Sequence, residues 1–418
     1  PYGREFLEYD FPESRLVGVL ESAIHHYVPP HSQGELIRRA ILNPFGTSSL
    51  SELSRGKKNI VLIASDHTRP VPSKLIIPFL LEEVRRGNSR AEVTILVATG
   101  CHRLTTKDEL VEKFGREIFE TENIVVHDCD KSEFVDLGKL PSGGDLVLNR
   151  IAVDADILLA EGFIEPHFFA GFSGGRKSVL PGVAARETVI YNHNAEFIAN
   201  DFSRTGVLQK NPIHADMIYA ARRAGLSFIC NVVINSRKEV IYAVAGDCEF
   251  AHADGCEFLR KNCMADAILA DIVVTSNGGY PLDQNIYQAV KGMTAAESTV
   301  RNGGVIIMIA KSNDGHGGCH FHQTFAGEKN CEKMLKKFMA TSKSQTAVDQ
   351  WQSQIFARVL QRATVIYISD APDEIVRDLH MIPARSIADA ISLAEKILNN
   401  SNATITAIPD GVSIIVNS

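Results

Sequence analysis

Residues 59–70 read NIVLIASDHTRP: an apolar, β-branched run that stops abruptly at an acid, a histidine and an arginine. Seven such residues without polar alternation are the pattern of a strand buried on both faces, as in a parallel sheet covered by helices. The same pattern recurs outward from this stretch in AEVTILVAT (91–99), NIVVHD (123–128) and ADILLAEGF (155–163). Between the first two strands, SKLIIPFLLEEVRRG has helical spacing and stops at Gly87; after the second, TTKDELVEKFG opens on a Thr cap and closes at Gly115. Strands alternating with amphipathic helices predict an α/β fold built on mainly parallel sheets. A second series starts at ADIVVTSNGG (270–279), passes through a helix near NIYQAVKGMTAAESTV, and continues with GGVIIMIA (303–310), ATVIYIS (363–369) and a helix SIADAISLAEKIL (386–398). That restart predicts two α/β domains, residues 1–265 and a smaller 266–418, with the active-site cleft between them. The segment TSKSQTAVDQWQSQ (341–354) reads as a polar loop running into a helix.

Composition narrows the function classes. The 418 residues are 45% hydrophobic and 22% charged, ordinary values for a soluble globular chain, with enough length for two or three cores. The formal net charge is -7, and no Lys/Arg block is present to track a phosphate backbone, which argues against nucleic acid as a partner. No apolar run reaches the roughly 18 residues of a membrane span, and PYGREFLEYDF lacks the basic-then-apolar order of a signal peptide, so a cytoplasmic protein is expected. The eight cysteines include no C-x-x-C pair, and reduced, structural thiols are expected.

The strand ends carry the chemistry. Asp66, His67 and Arg69 follow the first strand, His102 and Arg103 the second, and His167, in EGFIEPHFF, the fourth. Open α/β sheets bind ligands at the carboxyl ends of their strands, so three strands deliver His or Arg to one edge. Each residue alone also has a plainer reading: a His after a strand can cap a turn, and Asp-His-Thr-Arg before Pro70 can be an Asx turn. Together they favour chemistry.

The stretch GFSGGRKS (171–178) lies one substitution from the phosphate-loop pattern G-x-x-x-x-G-K-S, with Arg176 where the second glycine belongs. No acidic strand end for magnesium follows it, so a working nucleotide triphosphatase is not expected. Two readings stay open. Gly174 and Gly175 can turn backbone N–H groups on an anion with Arg176 as counter-charge, leaving Lys177 free, or the stretch is a glycine-rich turn with a solvated Arg-Lys pair. Sixteen residues beyond Lys177, YNHN places His193 between two Asn, a polar setting that suits a metal ligand or a general base.

Taken in order, SDHTRP, ATGCHR, EGFIEPHFFAGFSGGRKSVLPGV, YNHN and YPLDQNIYQAVKG closely resemble the nickel-dependent lactate racemase family, and the resemblance covers most of the chain. It implies a 2-hydroxy acid racemase or epimerase with a nickel-pincer nucleotide, a pyridinium-3-thioamide-5-thiocarboxylic acid mononucleotide carrying nickel. By the same resemblance, Lys177 forms the thioamide link, His193 is a nickel ligand, and His102 and His167 are the acid/base pair. Asp66, Arg69 and Lys291 are implied contacts to cofactor phosphate or substrate, and Tyr287, Gln288 and Trp351 fall near the substrate. The implied partners are a small 2-hydroxy acid and the enzymes that make the cofactor. The implied chemistry moves the Cα hydrogen as hydride, gives a planar 2-oxo acid, and needs a base for the hydroxyl proton of each enantiomer, which two imidazoles can supply. Arg69 is the better grip for a carboxylate, Lys291 the second.

Two other functions remain possible at this point: a divalent-metal hydrolase using His102, His167 and His193 directly, and a non-catalytic nucleotide- or metal-responsive binding protein. His316, His320 and His322 in DGHGGCHFHQ have a spacing open to a second metal, although the glycines favour a turn after strand 303–310.

Overall fold

The computed structural model describes residues 1–417 and has two six-stranded sheets. In the first, Asn59–Ser65 lies between Ile157–Phe163 and Glu92–Ala98, parallel to both, and Asn123–Val126 extends it beyond Glu92–Ala98. Leu226–Ile234 adds parallel to Ile157–Phe163, and Val240–Gly246 closes that edge antiparallel. Burial on both faces explains the unbroken apolar strands: helix Ser73–Gly87 covers one face with Ile76, Ile77, Leu80, Leu81 and Val84. That helix ends at Gly87 as expected, where a Cβ would lie 2.0 Å from the Ser51 carbonyl oxygen. Thr106 caps Lys107–Phe114 in a capping box with Glu109, and Gly115 ends it at φ 83°.

The second sheet is parallel throughout, in the order Leu16–Val19, Ile405–Ile408, Ala270–Ser276, Val300–Ile309, Thr364–Ile368, Ile382–Ala384. Its first strand comes from the N-terminal side of the expected division at 265/266. Leu16–Val19 comes from the N-terminal end of the chain yet pairs with Ile405–Ile408, because a short parallel strand there covers an otherwise open sheet edge. At the crossing point, Met264–Asp266 pairs with Ile415–Asn417, so the end of the chain returns to the link.

The two sheets share packing. Ala195, Phe197 and Ile198 from the first half lie in one apolar core with Trp351 and Ile355 of helix Gln350–Arg362, and Gln354 Nε2 donates to the Ala195 carbonyl at 2.9 Å. That helix follows residues 341–349 as the polar loop predicted. The carboxyl ends of the first sheet thereby face helix Ile286–Glu297 and the start of Gln350–Arg362 across a cleft. None of the described helices is long and apolar enough to cross a membrane.

A candidate active site between the two sheets

The cleft encloses a cavity of about 430 Å³. Its lining brings together Asp66, Arg69, His102, His167, Gly174, Lys177 and His193 from the first half with Tyr287, Gln288, Lys291 and Trp351 from the second.

Asp66 begins the loop after Asn59–Ser65. One carboxylate oxygen accepts from the Thr68 amide (3.1 Å) and hydroxyl (2.7 Å), an Asx turn, so the plainer reading of this stretch holds alongside the functional one. The other oxygen lies 2.7 Å from His102 Nδ1. Burial opposes the charge on Asp66, but the His102 ring, Arg69 and the Thr68 bonds together hold its carboxyl below the ordinary range. With both oxygens engaged inside the chain, Asp66 orients His102. An ionised Asp66 accepts the His102 Nδ1 hydrogen, which leaves a lone pair on His102 Nε2.

His167 has the opposite arrangement. Its Nδ1 accepts from the Ala170 amide at 3.3 Å, so the neutral ring carries its hydrogen on Nε2, 3.3 Å from Lys177 Nζ. Burial, then Lys177, Lys291 and Arg69, push its pKa well below the usual histidine value. Phe168 stacks on the ring at 4.9 Å and Phe169 meets it edge-on at 4.5 Å, which fixes its plane.

Lys177 stands on a short turn, Gly175–Ser178, over the face of Phe169 at 5.4 Å. Burial and the nearby cations Arg176, Arg69 and Lys291 push its amine well below the ordinary lysine range. The anion cradle expected around it is corrected in two respects. Gly175 points its amide at Asn231 Oδ1 (2.7 Å), and a Cβ on Gly175 would lie 2.9 Å from the His252 ring, so this glycine serves close packing. Arg176 is fully buried and turned away from the cavity: it donates to the carbonyls of Ala170, Ser173 and Gly174 and to His214 Nδ1, and pairs with His252 Nε2. It is neither a counter-charge for a ligand nor a solvated side chain, but a staple inside the loop that presents Lys177.

His193 is buried, and its Nδ1 lies 3.1 Å from the Val189 carbonyl. That bond takes the Nδ1 hydrogen and leaves the Nε2 lone pair free, the disposition of a metal-binding imidazole anchored from behind. Burial first, then Lys177, lower its pKa to about 3, so the ring is neutral. Across the cleft, Lys291 is buried with its Nζ unpartnered; burial and Arg69 lower it to about 8 against the pull of Glu165 and Asp66. Gln288 Oε1 is likewise buried without a partner. Trp351 Nε1 donates to the Tyr287 hydroxyl at 2.9 Å. Arg69, Lys177 and Lys291 line the cavity and form no ion pair among the described residues.

Sequence reading missed three contributors. Glu161, the one acid inside the buried strand Ile157–Phe163, accepts from the Ser65 amide (2.9 Å) and hydroxyl (3.1 Å) and from the Ser73 hydroxyl (3.1 Å), bracing both ends of the Asp66–Arg69 loop. A carboxylate in an otherwise apolar strand was the available signal. Lys113 donates to the Arg69 carbonyl at 3.2 Å. Asp349 lines the cavity from the polar loop, where nothing in the sequence marked it.

The competing metal readings do not match the geometry. Among the described residues, His102, His167 and His193 do not converge on a common point, and the one cluster that does, Asp128, Cys129 and Asp130, has Asp130 held by Arg186 at 2.6 Å. His316 and His322 stack at 4.9 Å, His322 pairs with Asp378 at 3.1 Å, and His320 lies in the first turn of a helix, Cys319–Gly327, that follows the expected glycine turn.

Comparison with known proteins accounts for nearly the whole chain. The lactate racemase N-terminal domain family matches residues 2–206 and the lactate racemase C-terminal domain family residues 265–416. A lactate racemase of Thermoanaerobacterium thermosaccharolyticum is 52% identical, and one of Lactiplantibacillus plantarum 47%, each over 100% of this chain and 98% of the relative. The lactate racemase apoprotein structure from T. thermosaccharolyticum superposes with a TM-score of 0.95 at 51% identity, covering 100% of this chain and 99% of that one. A Thermotoga maritima protein at 19% identity shares the fold, with a TM-score of 0.66 over 94% of this chain and 100% of its own. A racemase, and therefore an isomerase, is what full-length identity of about half to two such relatives makes of this site, and the chain belongs to the lactate racemase family.

Proposed function

We propose that the protein interconverts the enantiomers of lactate, or of a closely related 2-hydroxy acid, with a nickel-pincer nucleotide tethered at Lys177. The observation that carries this reading is the complementary state of two histidines on one cavity: Nε2 of His102 offers a lone pair and Nε2 of His167 a hydrogen. An inversion through a planar 2-oxo acid needs that asymmetry, since one ring takes the hydroxyl proton while the other returns a proton to the carbonyl oxygen.

The residues fit the cofactor. Arg69 and Lys291, cations without ion-pair partners, suit a phosphate and carboxyl groups, the anchored His193 suits a divalent metal through Nε2, and the primary amine of Lys177, held well below the ordinary lysine range, suits an acyl link. When bound, such a group supplies an electrophilic carbon that takes the Cα hydrogen as hydride. The chain's own share is to bind and orient. Arg69 grips the substrate carboxylate, Lys291 stands across the cleft as a second cation, and Phe168 and Phe169 keep water off the reacting face. His102, held by Asp66, and His167, held between Ala170 and the phenylalanine rings, exchange only the hydroxyl proton.

The test is to produce the chain together with cofactor-producing enzymes and follow lactate racemisation from each pure enantiomer, with intact mass and nickel measured on the same sample. The reading requires turnover in both directions, a covalent mass increase on the Lys177 peptide, and loss of both in Lys177→Ala. Full activity with an unmodified Lys177 would sink the tether assignment.

A further inference from the structure

Asp66 and Arg69 work from the loop 66–72, which joins strand Asn59–Ser65 to helix Ser73–Gly87. The ladder from Asn59–Ser65 to Ile157–Phe163 ends at the pair Ile63–Ala160, and one residue further on the Glu161 carboxylate takes over as acceptor. A single oxygen, Oε1, receives the Ser65 amide at 2.9 Å, the Ser65 hydroxyl at 3.1 Å and the Ser73 hydroxyl at 3.1 Å. One buried acid therefore ties the last residue before the loop to the first residue after it, and sets the distance the loop must span. Glu161 is 1% exposed and its other oxygen has no partner among the described residues, so these three bonds are the polar contacts of its side chain with the chain. Burial pushes its pKa up against the pull of Lys113 and of the Ser65 and Ser73 bonds; Oε1 accepts in the acid as in the carboxylate.

The middle of the loop has a separate hold. Lys113, on helix Lys107–Phe114 and outside the cavity wall, donates from Nζ to the Arg69 carbonyl at 3.2 Å. Between these points the loop has little slack: the Asp66 carboxylate closes its first half on Thr68, the Arg69 amide donates to the Asp66 carbonyl at 3.3 Å, and Pro70 and Pro72 fix φ in the second half. A shift at an anchor is thus passed on to the side chain beside it. Beside the Ser65 anchor stands Asp66, which holds His102 Nδ1 at 2.7 Å; at the Lys113 anchor stands Arg69 itself.

We propose that Glu161 and Lys113 are positioning residues with separate tasks: Glu161 places Asp66 and, through it, the His102 ring, while Lys113 places Arg69. The consequences for turnover rest on the racemase reading; the two anchors rest on the geometry alone.

The His102 ring reports on the first anchor without any turnover. In a long-range nitrogen-edited spectrum of the full chain free of cofactor, with the His102 signals identified by their loss in H102Q, wild type should show one tautomer with the hydrogen on Nδ1. E161A should show a mixture of tautomers, whereas E161Q, whose amide oxygen accepts the same bonds, and K113M should keep the wild-type pattern. In loaded enzyme, E161A should lose on the order of 10- to 10²-fold in kcat with KM little changed, the scale of a group misplaced by about 1 Å, and E161Q should recover most of that loss. K113M should instead raise KM roughly tenfold with kcat little changed, the size of one weakened carboxylate contact. Should E161A prove too unstable to purify, S73A removes one of the three bonds with the acid left in place, and it should move the same readouts in the same direction by less. A wild-type His102 tautomer in E161A and S73A would overturn the proposal. So would the same change of kcat and KM in E161A and K113M, because a general loosening of the fold acts on both alike. Absence of turnover in wild type with the tautomer pattern intact would count against the racemase reading and leave the two anchors standing.

Discussion

Lys291 faces competing demands in this site: it is buried, it stands near Arg69, and its ammonium has no hydrogen-bond partner, which together bring its pKa to about 8. If its charge helps hold the substrate carboxylate, kcat/KM should fall as pH rises through about 8, since this parameter follows the free enzyme. Lys291→Arg, which stays charged, should move that limb to higher pH; an unchanged limb would assign it to another group. His102→Ala and His167→Ala should each lose something like 10²- to 10⁴-fold in rate, because each enantiomer has its own ring as partner, one in each half of the reaction. His193→Ala should keep the Lys177 adduct while holding nickel much less well, and unchanged nickel content would move the ligand role elsewhere. The residues named here were legible in the sequence because each follows a strand or sits in a short distinctive motif. Their pairings were not: nothing in the order of residues says that Asp66 spends itself on His102, since that contact is made by loops closing in space.

At the scale of the element, the turn carrying Lys177 is the clearest case. Gly-Gly-Arg-Lys admits both an anion cradle and a glycine-rich turn with a solvated Arg-Lys pair, yet the fold spends Gly175 on packing and Arg176 on three carbonyls and two histidine rings. Side-chain direction, which a motif does not encode, decided between the readings. Arg176→Ala should therefore destabilise the protein by about 3 kcal/mol or more, because it strands buried acceptors. Lys177→Ala should cost little and can raise Tm, because it removes a buried amine with no ion-pair partner. Thermal unfolding of the two variants side by side checks this; equal losses would mean that the loop is not organised around Arg176. Strands and helices were read well because burial on both faces leaves unbroken apolar runs, as in Asn59–Ser65. The edge strand Leu16–Val19 was not, since four residues with alternate exposure carry too weak a pattern to announce a partner in the other sheet.

Across the whole molecule, several histidines are folded in the neutral state. Burial lowers His127 to about 4 and His193 to about 3. Between about pH 6.5 and 4 the unfolded chain takes up protons on these rings and the folded chain does not, so stability must fall as pH falls through that window. Each ring contributes about 1.4 kcal/mol per pH unit there. Urea unfolding between pH 7.5 and 5 should follow this slope, and a His127→Asn variant should lose one ring's share of it; a flat profile would mean that these rings are protonated in the fold. In the proposed reaction His102 and His167 handle only the hydroxyl proton, so the hydrogen on Cα never meets solvent. Racemisation of lactate by the loaded enzyme in heavy water should therefore give product with almost no deuterium at Cα, while substrate deuterated at Cα keeps its label. Efficient incorporation of solvent deuterium at Cα would contradict the account and make His102 and His167 two opposed bases acting on carbon.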